Sequence, residues 1–551
     1  MAKPWAARLC RLPKQDFFVA QDIIKVKIYS VAELRYMKKS LPLIMFSGAF
    51  MASVPSAAQT AKATTDKPNV ILVYADDMGM GMLSCLGQRQ IMTPNIDRVF
   101  RQGTQFTHAY GCMVSAASRA SLLTGYSDIR KEKIRVSGGG QLLLDPATVT
   151  DKQVAAIEAN IDRNDVNLPA GDLYLPQVFK KADYVTGEIG KLEYGWTATR
   201  NQMTRHGWDY YYGYLDHVGC HGYYPPFVFE NGKVVSINGN THKDCAKTGE
   251  PETDATYAAR WNMEGKTVYS QDLFDAKMKE FIRENKDRPF FLFHPSQLPH
   301  GPVMIPSVNP QVKDNPNLTQ IEKEYASMVL RLDSVVGMLL DEVEVQGIAD
   351  KTMFIFASDN GHEIYYAKSG RVSKPFGAYD DWNTKYYSDT HGDVFNGNGS
   401  LRGFKRQNSE GGPRIPLAMY LPGKIPAGVR CDQFVSMFDL IPTFADMLGV
   451  KLSSSYPKDG ISILPTIMHG DSIPKKRTIA YSSYQGPAIV SNEGYKVRYN
   501  TIAKDYDMYY LLDDPQERKN VAGKYPEKLE ELKALLLKAC DGNIDKGKCG
   551  Y

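Results

Sequence analysis

Paired carboxylates are the first chemistry the sequence offers. Asp76 and Asp77 follow the apolar run 69–75, and Asp359 with Asn360 follows the apolar run 353–357. Neighbouring residues on a strand point to opposite faces, so two adjacent ligands serve one site only where the chain has left the strand, as Met78-Gly79 permits. Two carboxylates side by side repel unless a cation or a proton intervenes. Three carboxylates and one amide from two strand ends make a hard-oxygen cage that suits Ca2+, or Mg2+, better than zinc. None of the eight cysteines sits in a CxxC pair, and no Cys or His set has a zinc spacing.

Around this cage lie groups suited to an anion. Gly190-Lys191 and His300 follow the apolar runs 184–189 and 290–293. The segment from Ser115 through Ser118 and Arg119 to Thr124-Gly125 opens as a polar helix start and ends in a glycine suited to the C′ position. A helix start presents free N–H groups and positive dipole to an anion, and Arg119 adds charge. Taken alone, each of these is also compatible with a capped helix, a surface cation or a structural histidine.

The elements that must position these groups read as an α/β fold. The runs at 69–75, 184–189, 290–293, 353–357 and 416–421 are continuously apolar, as expected of strands covered on both faces. An apolar stripe at helical spacing fills 322–345. Ligands in open α/β sheets bind outside the carboxyl ends of the strands, so independent segments converge on one crevice. Past residue 470 come short, turn-punctuated stretches such as 495–499 and a helix near 527–537, which predict a small antiparallel sheet with a terminal helix. The expected fold is a large mixed, mainly parallel sheet flanked by helices over 67–470, with an antiparallel α+β subdomain over 471–551. Two long polar segments, 127–170 and 364–400, are expected to frame the substrate.

With 551 residues, 43% hydrophobic and 23% charged, the chain can bury a large core, and its net charge of +4 gives no field for collecting nucleic acid. Residues 1–36 read as an upstream extension. Met37-Lys38-Lys39, an apolar stretch over 41–51 and small residues to Ala58 read as a signal peptide over 37–58, too short to span a membrane, cleaved near Ala58. That implies a periplasmic or secreted protein, with no membrane span in the mature chain. An oxidising compartment could pair Cys220 with Cys245 and Cys540 with Cys549, or leave them as buried thiols.

The Ser115 segment resembles the signature of formylglycine-dependent (type I) sulfatases of the alkaline phosphatase superfamily: Cys or Ser, any residue, Pro or Ala, Ser, Arg, then Thr-Gly. The likeness extends over 69–77, Thr93-Pro-Asn-Ile-Asp97, Gly190-Lys191, Pro299-His300, Ser358-Asp-Asn-Gly361, Gly403-Phe-Lys405, 410–416 and 509–520. It implies that Ser115 is oxidised to formylglycine by a serine-type maturing enzyme before export, and that its hydrated aldehyde attacks sulfur. It further implies that Asp76, Asp77, Asp359, Asn360 and residue 115 bind Ca2+, that Lys191 and Lys405 neutralise sulfate, that Arg119 holds the hydrated aldehyde, and that His300 protonates the departing alcohol.

The family commonly has Gly-Lys-Trp-His-Leu-Gly where this chain reads Gly190-Lys-Leu-Glu-Tyr-Gly195. Glu193 therefore stands where a catalytic histidine is usual, as a base, a substrate-binding residue or a helix-cap group. The aromatic and imidazole residues of 205–224, His217 and His221 among them, suit a sugar ring, so a sulfated carbohydrate is the expected substrate. Two other functions stay open at this point. A phosphomonoesterase or phosphodiesterase of the same fold would need further His and Asp ligands, and a glycan-binding protein with a degenerate site would not need Ser115 converted.

Overall fold

The computed structural model describes residues 67–130, 139–163, 168, 171–193, 195, 197–249, 251–367, 393–454, 456, 459–500 and 503–547. The extension and signal peptide read from the sequence lie outside them, as do most of the loop at 364–400 and part of that at 127–170.

The first eleven strands are β1 (Asn69–Ala75), β2 (Thr104–Tyr110), β3 (Val185–Gly190), β4 (Tyr210–Gly213), β5 (Phe227–Glu230), β6 (Lys233–Ser236), β7 (Phe290–Pro295), β8 (Thr352–Ser358), β9 (Arg414–Ile415), β10 (Leu417–Tyr420) and β11 (Val429–Ser436). They form one mixed sheet in the order β11-β2-β10-β8-β1-β7-β3-β4-β5-β6, with β9 paired to β2. Its centre is parallel: β8, β1, β7, β3 and β4 run the same way. β1 and β8 are buried at every residue, which explains why their sequences are apolar without alternation.

Both faces are covered. Phe281, from the helix Ser270–Asn285, packs on Phe290, while Phe179, from the helix Leu175–Lys181, stacks on Phe291 at 4.2 Å. Since 290 and 291 are consecutive on β7, their side chains point to opposite faces, and so the two helices lie on opposite sides. The helix Gln320–Val345 joins Ser270–Asn285 on one side, and Ser115–Thr124 with Leu440–Leu448 joins Leu175–Lys181 on the other.

The register brings the strand ends level. Ala75 is opposite Ser358 and Tyr74 is opposite both Ala357 and Pro295, so Asp76 leaves the sheet beside Asp359 and near the segment that carries His300. The run expected at 416–421 is β10, but it runs antiparallel between β2 and β8. β2 and β11 escaped the sequence reading because they are polar and lie at the sheet margin. The polar segment 127–170 contains a helix, Asp151–Asp162, started by a capping box between Thr150 and Gln153.

β12 (Thr478–Tyr481), β13 (Ala488–Ser491), β14 (Tyr495–Asn500) and β15 (Asp505–Tyr510) form the antiparallel C-terminal sheet. The helix Pro526–Ala539 covers it, with Leu532 and Leu536 against Ile489, Val497 and Met508. Cys220 and Cys245 are buried free thiols, Cys540 is buried, and the Cys549 expected to pair with it lies outside the described residues. No helix among the described residues is long and apolar enough to cross a membrane.

Candidate active site

The chain leaves β1 abruptly. Asp76 N–H donates to Leu298 O at 3.0 Å, and Asp77 takes a positive φ of 62°, a left-handed conformation that aspartate tolerates better than most residues. The turn brings both carboxylates to one place, with oxygens of Asp76 and Asp77 and a ring nitrogen of His300 within 4.8 Å of one another. Asp77 N–H donates to Asp359 Oδ1 at 2.9 Å, which ties this turn to the end of β8.

Every oxygen of the first pair is engaged. Asp76 Oδ1 accepts from Ser115 Oγ at 2.5 Å, while Oδ2 meets Lys191 Nζ and lies 3.9 Å from Arg119. Asp77 pairs with Lys405 Nζ at 2.6 Å and accepts from Asn360 Nδ2 at 2.7 Å and from the Tyr365 hydroxyl. His300 Nε2 is 3.4 Å from Asp77 Oδ2, and its Nδ1 is hydrogen-bonded to Gly301 O.

The third carboxylate differs. Asp359 Oδ2 and Asn360 Oδ1 are buried and make no hydrogen bond. Buried oxygens without a partner are costly, and two of them beside two further carboxylates fit a hard divalent cation such as Ca2+ or Mg2+. The electrostatics agree. Burial alone would raise Asp76, but the Lys191 ammonium and Arg119 guanidinium outweigh it and hold it well below the usual carboxylate range. Burial, then Asp76 and Asp77, push Asp359 up to about 8. Burial pushes the Lys405 ammonium down.

Local folding fixes these groups. Ser118 Oγ donates to Asp359 O at 2.6 Å and is hydrogen-bonded to the Tyr74 hydroxyl at 2.8 Å, so the start of the helix Ser115–Thr124 is pinned to the ends of β1 and β8. That pin aims Ser115 at Asp76. Asn398 Nδ2 donates to Gly403 O and Gly411 O at 2.8 Å each, closing the loop that carries Lys405.

The structure thus brings together Asp76, Asp77, Ser115, Arg119, Lys191, His300, Asp359, Asn360 and Lys405, all buried. It sets His221 on the same wall, its ring stacked on His300 at 4.3 Å and 5°, with His217 edge-on to His221 at 4.4 Å. Glu193 has other partners. Its two oxygens are taken by His206 Nδ1 and Trp208 Nε1, and the latter ring stacks over Phe291 and Phe293. The carboxylate expected among the catalytic groups is buried and hydrogen-bonded to these two side chains. Sequence reasoning missed Tyr365, Ser118 and Asn398 as supports of the site; the only signal for Tyr365 was its place five residues beyond Asn360 in a supposed substrate loop.

A family model described as Sulfatase matches residues 68–450, and one described as N-sulphoglucosamine sulphohydrolase, C-terminal, matches 403–541. An N-acetylgalactosamine-6-O-sulfatase of Bacteroides thetaiotaomicron is 28% identical over 86% of this chain and 93% of its own length. The human N-acetylgalactosamine-6-sulfatase is 26% identical over 87% of this chain and 80% of its own. Among solved structures, Ps i-CgsB in complex with k-i-k-neocarrahexaose has a similar fold, with a TM-score of 0.63 at 24% identity over 87% of this chain and 93% of that one.

Proposed function

The chain belongs to the sulfatase family and is a sulfuric ester hydrolase, and from that premise we propose that it releases sulfate from a sulfated carbohydrate with residue 115 acting in oxidised form. The observation that carries this reading is the Ser115 hydroxyl bonded to Asp76, at the start of a buried helix and beside Lys191 and Arg119. As plain serine its hydrogen-bonded base among the described residues would be Asp76, and the two cations suppress that carboxylate's basicity. Oxidised to formylglycine, residue 115 would supply a hydrated aldehyde oxygen as nucleophile, while Ca2+ or Mg2+ held by Asp76, Asp77, Asp359, Asn360 and residue 115 would supply charge to the sulfate oxygens.

The remaining steps fall to the chain's own side chains. Lys191 and Lys405, each seated on a carboxylate, offer ammonium donors to the sulfate oxygens where charge develops. Arg119, on the same carboxylate as Ser115, orients residue 115. With Nδ1 bonded to Gly301 O, His300 has Nε2 on the Asp77 side, from which it protonates the departing sugar oxygen as general acid. His217 and His221 offer the adjoining wall to the sugar ring. The relatives' names support a 6-O-sulfated N-acetylgalactosamine as the first sugar to try. The basic-then-apolar segment at 37–58 supports export to the periplasm or beyond, after action by a serine-type maturing enzyme.

The test is peptide mass spectrometry of residue 115 in protein co-expressed with such an enzyme, alongside sulfate release from sulfated sugars. Loss of two hydrogens at residue 115 is expected. Ser115→Ala should cut sulfate release about 10^3-fold or more while leaving the melting temperature near that of the parent. Release that survives Ser115→Ala would overturn the mechanism.

A further inference from the structure

The turn after β4 brings together donors whose spacing the sequence alone did not mark as a metal motif. Ligand atoms of His217, Cys220 and His221 lie within 4.8 Å of one another, at positions i, i+3 and i+4. We propose that these three side chains form a binding site for a divalent cation of the zinc class, and that its occupancy inhibits the neighbouring crevice.

The donor chemistry separates this site from the oxygen cage. Two imidazoles and a thiolate favour a borderline or soft metal, whereas Asp76, Asp77, Asp359 and Asn360 favour a hard one. Tetrahedral zinc, with bonds of about 2.0 Å to nitrogen and about 2.3 Å to sulfur, needs donors about 3.5 Å apart. The donors, within 4.8 Å of one another, must therefore draw together by about an ångström to hold the ion. Binding exchanges the Cys220 thiol proton for the metal: the S–H bond breaks, the sulfur–metal bond forms and the proton leaves to the buffer. The thiol now donates to His217 O at 3.0 Å.

The backbone carrying the donors is held from both ends. The Asp216 carboxylate accepts from Gly140 N–H, Leu142 N–H, Thr197 Oγ1 and Val218 N–H at 2.9 to 3.1 Å. Gln297 Nε2 donates to Cys220 O at 2.6 Å and to Gly222 O at 2.7 Å. A turn so fixed presents its donors with little ordering cost. The nearby cations do not repel a metal unopposed, because Asp76 lies against Lys191 and Arg119, and Asp77 against Lys405. Three protein donors leave the fourth tetrahedral position open to water or another small ligand. His221 stacks on His300, so a metal held there occupies the wall assigned to the sugar. The inhibitory half of the proposal rests on the sulfatase reading of the crevice, and the binding half does not.

The experiment is a Co2+ titration of the full-length enzyme in excess Ca2+, which fills the oxygen cage, read by thiolate-to-cobalt charge-transfer absorption. One equivalent of Co2+ should give the band and Zn2+ should abolish it. Cys220→Ser and His217→Gln should each lose it, while Cys245→Ser keeps it. Zn2+ should depress sulfate release, and Cys220→Ser should raise the Zn2+ concentration required by at least the roughly 10- to 100-fold that losing even an outer partner costs. Absence of the band, its loss in Cys245→Ser rather than Cys220→Ser, or its formation with no effect of Zn2+ on turnover would overturn the proposal. Should the protein release no sulfate at all, the cobalt band still reads the site, so failure of the sulfatase reading is distinguished from failure of this one. Thermal melting of each variant identifies any that loses the band through misfolding, and the band's survival in the other ligand's well-folded variant then overturns the assignment.

Discussion

Glu193 shows how a residue's type can point one way and its partners another. A carboxylate two positions after Lys191 has the chemistry of a base, yet its oxygens are occupied by His206 and Trp208 in the core. Glu193→Gln should therefore act through stability. An amide places a donor against an indole N–H or an imidazole nitrogen, so unfolding should become easier by about 1–3 kcal/mol. Turnover of the folded enzyme should change by less than about threefold, whereas loss of a true general base lowers kcat by about 10^2-fold or more. Denaturant titration and kcat together decide between them. At this scale the legible part of the site was the set of adjacent, chemically unusual residues: Asp76-Asp77, Asp359-Asn360, Ser115 with Arg119. Tyr365 was not legible, because a tyrosine in a polar segment carries no sign of which carboxylate it will meet.

Between elements, the coupling that matters runs from the C-terminal sheet to the loop bearing Lys405. Lys496 on β14 is fully buried, with Nζ 3.0 Å from Glu410 and 2.8 Å from Glu517. Glu410 lies five residues beyond Lys405 and is also held by Arg414 and the Tyr110 hydroxyl on β2. Lys496→Met leaves two buried carboxylates short of a cation, and such a break costs about 3–5 kcal/mol. The expected result is a matching loss in denaturant stability together with a lower kcat, since the loop that presents Lys405 loosens. An unchanged midpoint would mean that the C-terminal sheet contributes nothing to holding the site. The sequence announced β14 and its neighbours through turn-punctuated strands, but the network's hydrogen bonds join residues more than a hundred positions apart, Tyr110 with Glu410 and Glu410 with Glu517, and have no local signature.

For the whole molecule, the carboxylate cluster makes stability depend on cation and pH together. Dialysis against a chelator should lower the melting temperature and abolish sulfate release, and Ca2+ should restore both; at 100 times its dissociation constant a ligand stabilises by about 2.7 kcal/mol. Burial, Asp76 and Asp77 raise Asp359 from its ordinary 3.8 to about 8 in the metal-free fold. Folding without a cation therefore keeps that carboxyl protonated while the unfolded chain ionises it, so metal-free stability falls as pH rises from 3.8 toward 8. A bound cation needs the carboxylate, so the gap between loaded and metal-free melting temperatures should widen up to about pH 8 and then level off. A gap that narrows with pH over that range would contradict the assignment of Asp359 as a ligand.

The sequence by itself determined the α/β class, the central strands, the long helix and the identity of the clustered groups. These rest on local causes: strands covered on both faces must be apolar throughout, a helix must carry its stripe at its own period, and residues next to a strand end share its position. Only the tertiary structure decided that β10 runs antiparallel, that Glu193 bonds His206 and Trp208, that Tyr365 braces Asp77 and Ser118 the Asp359 backbone, and that His217, Cys220 and His221 converge beside His300. Strand direction and side-chain partners are set by register and packing between segments distant in the chain, and no window of sequence contains both sides of those contacts.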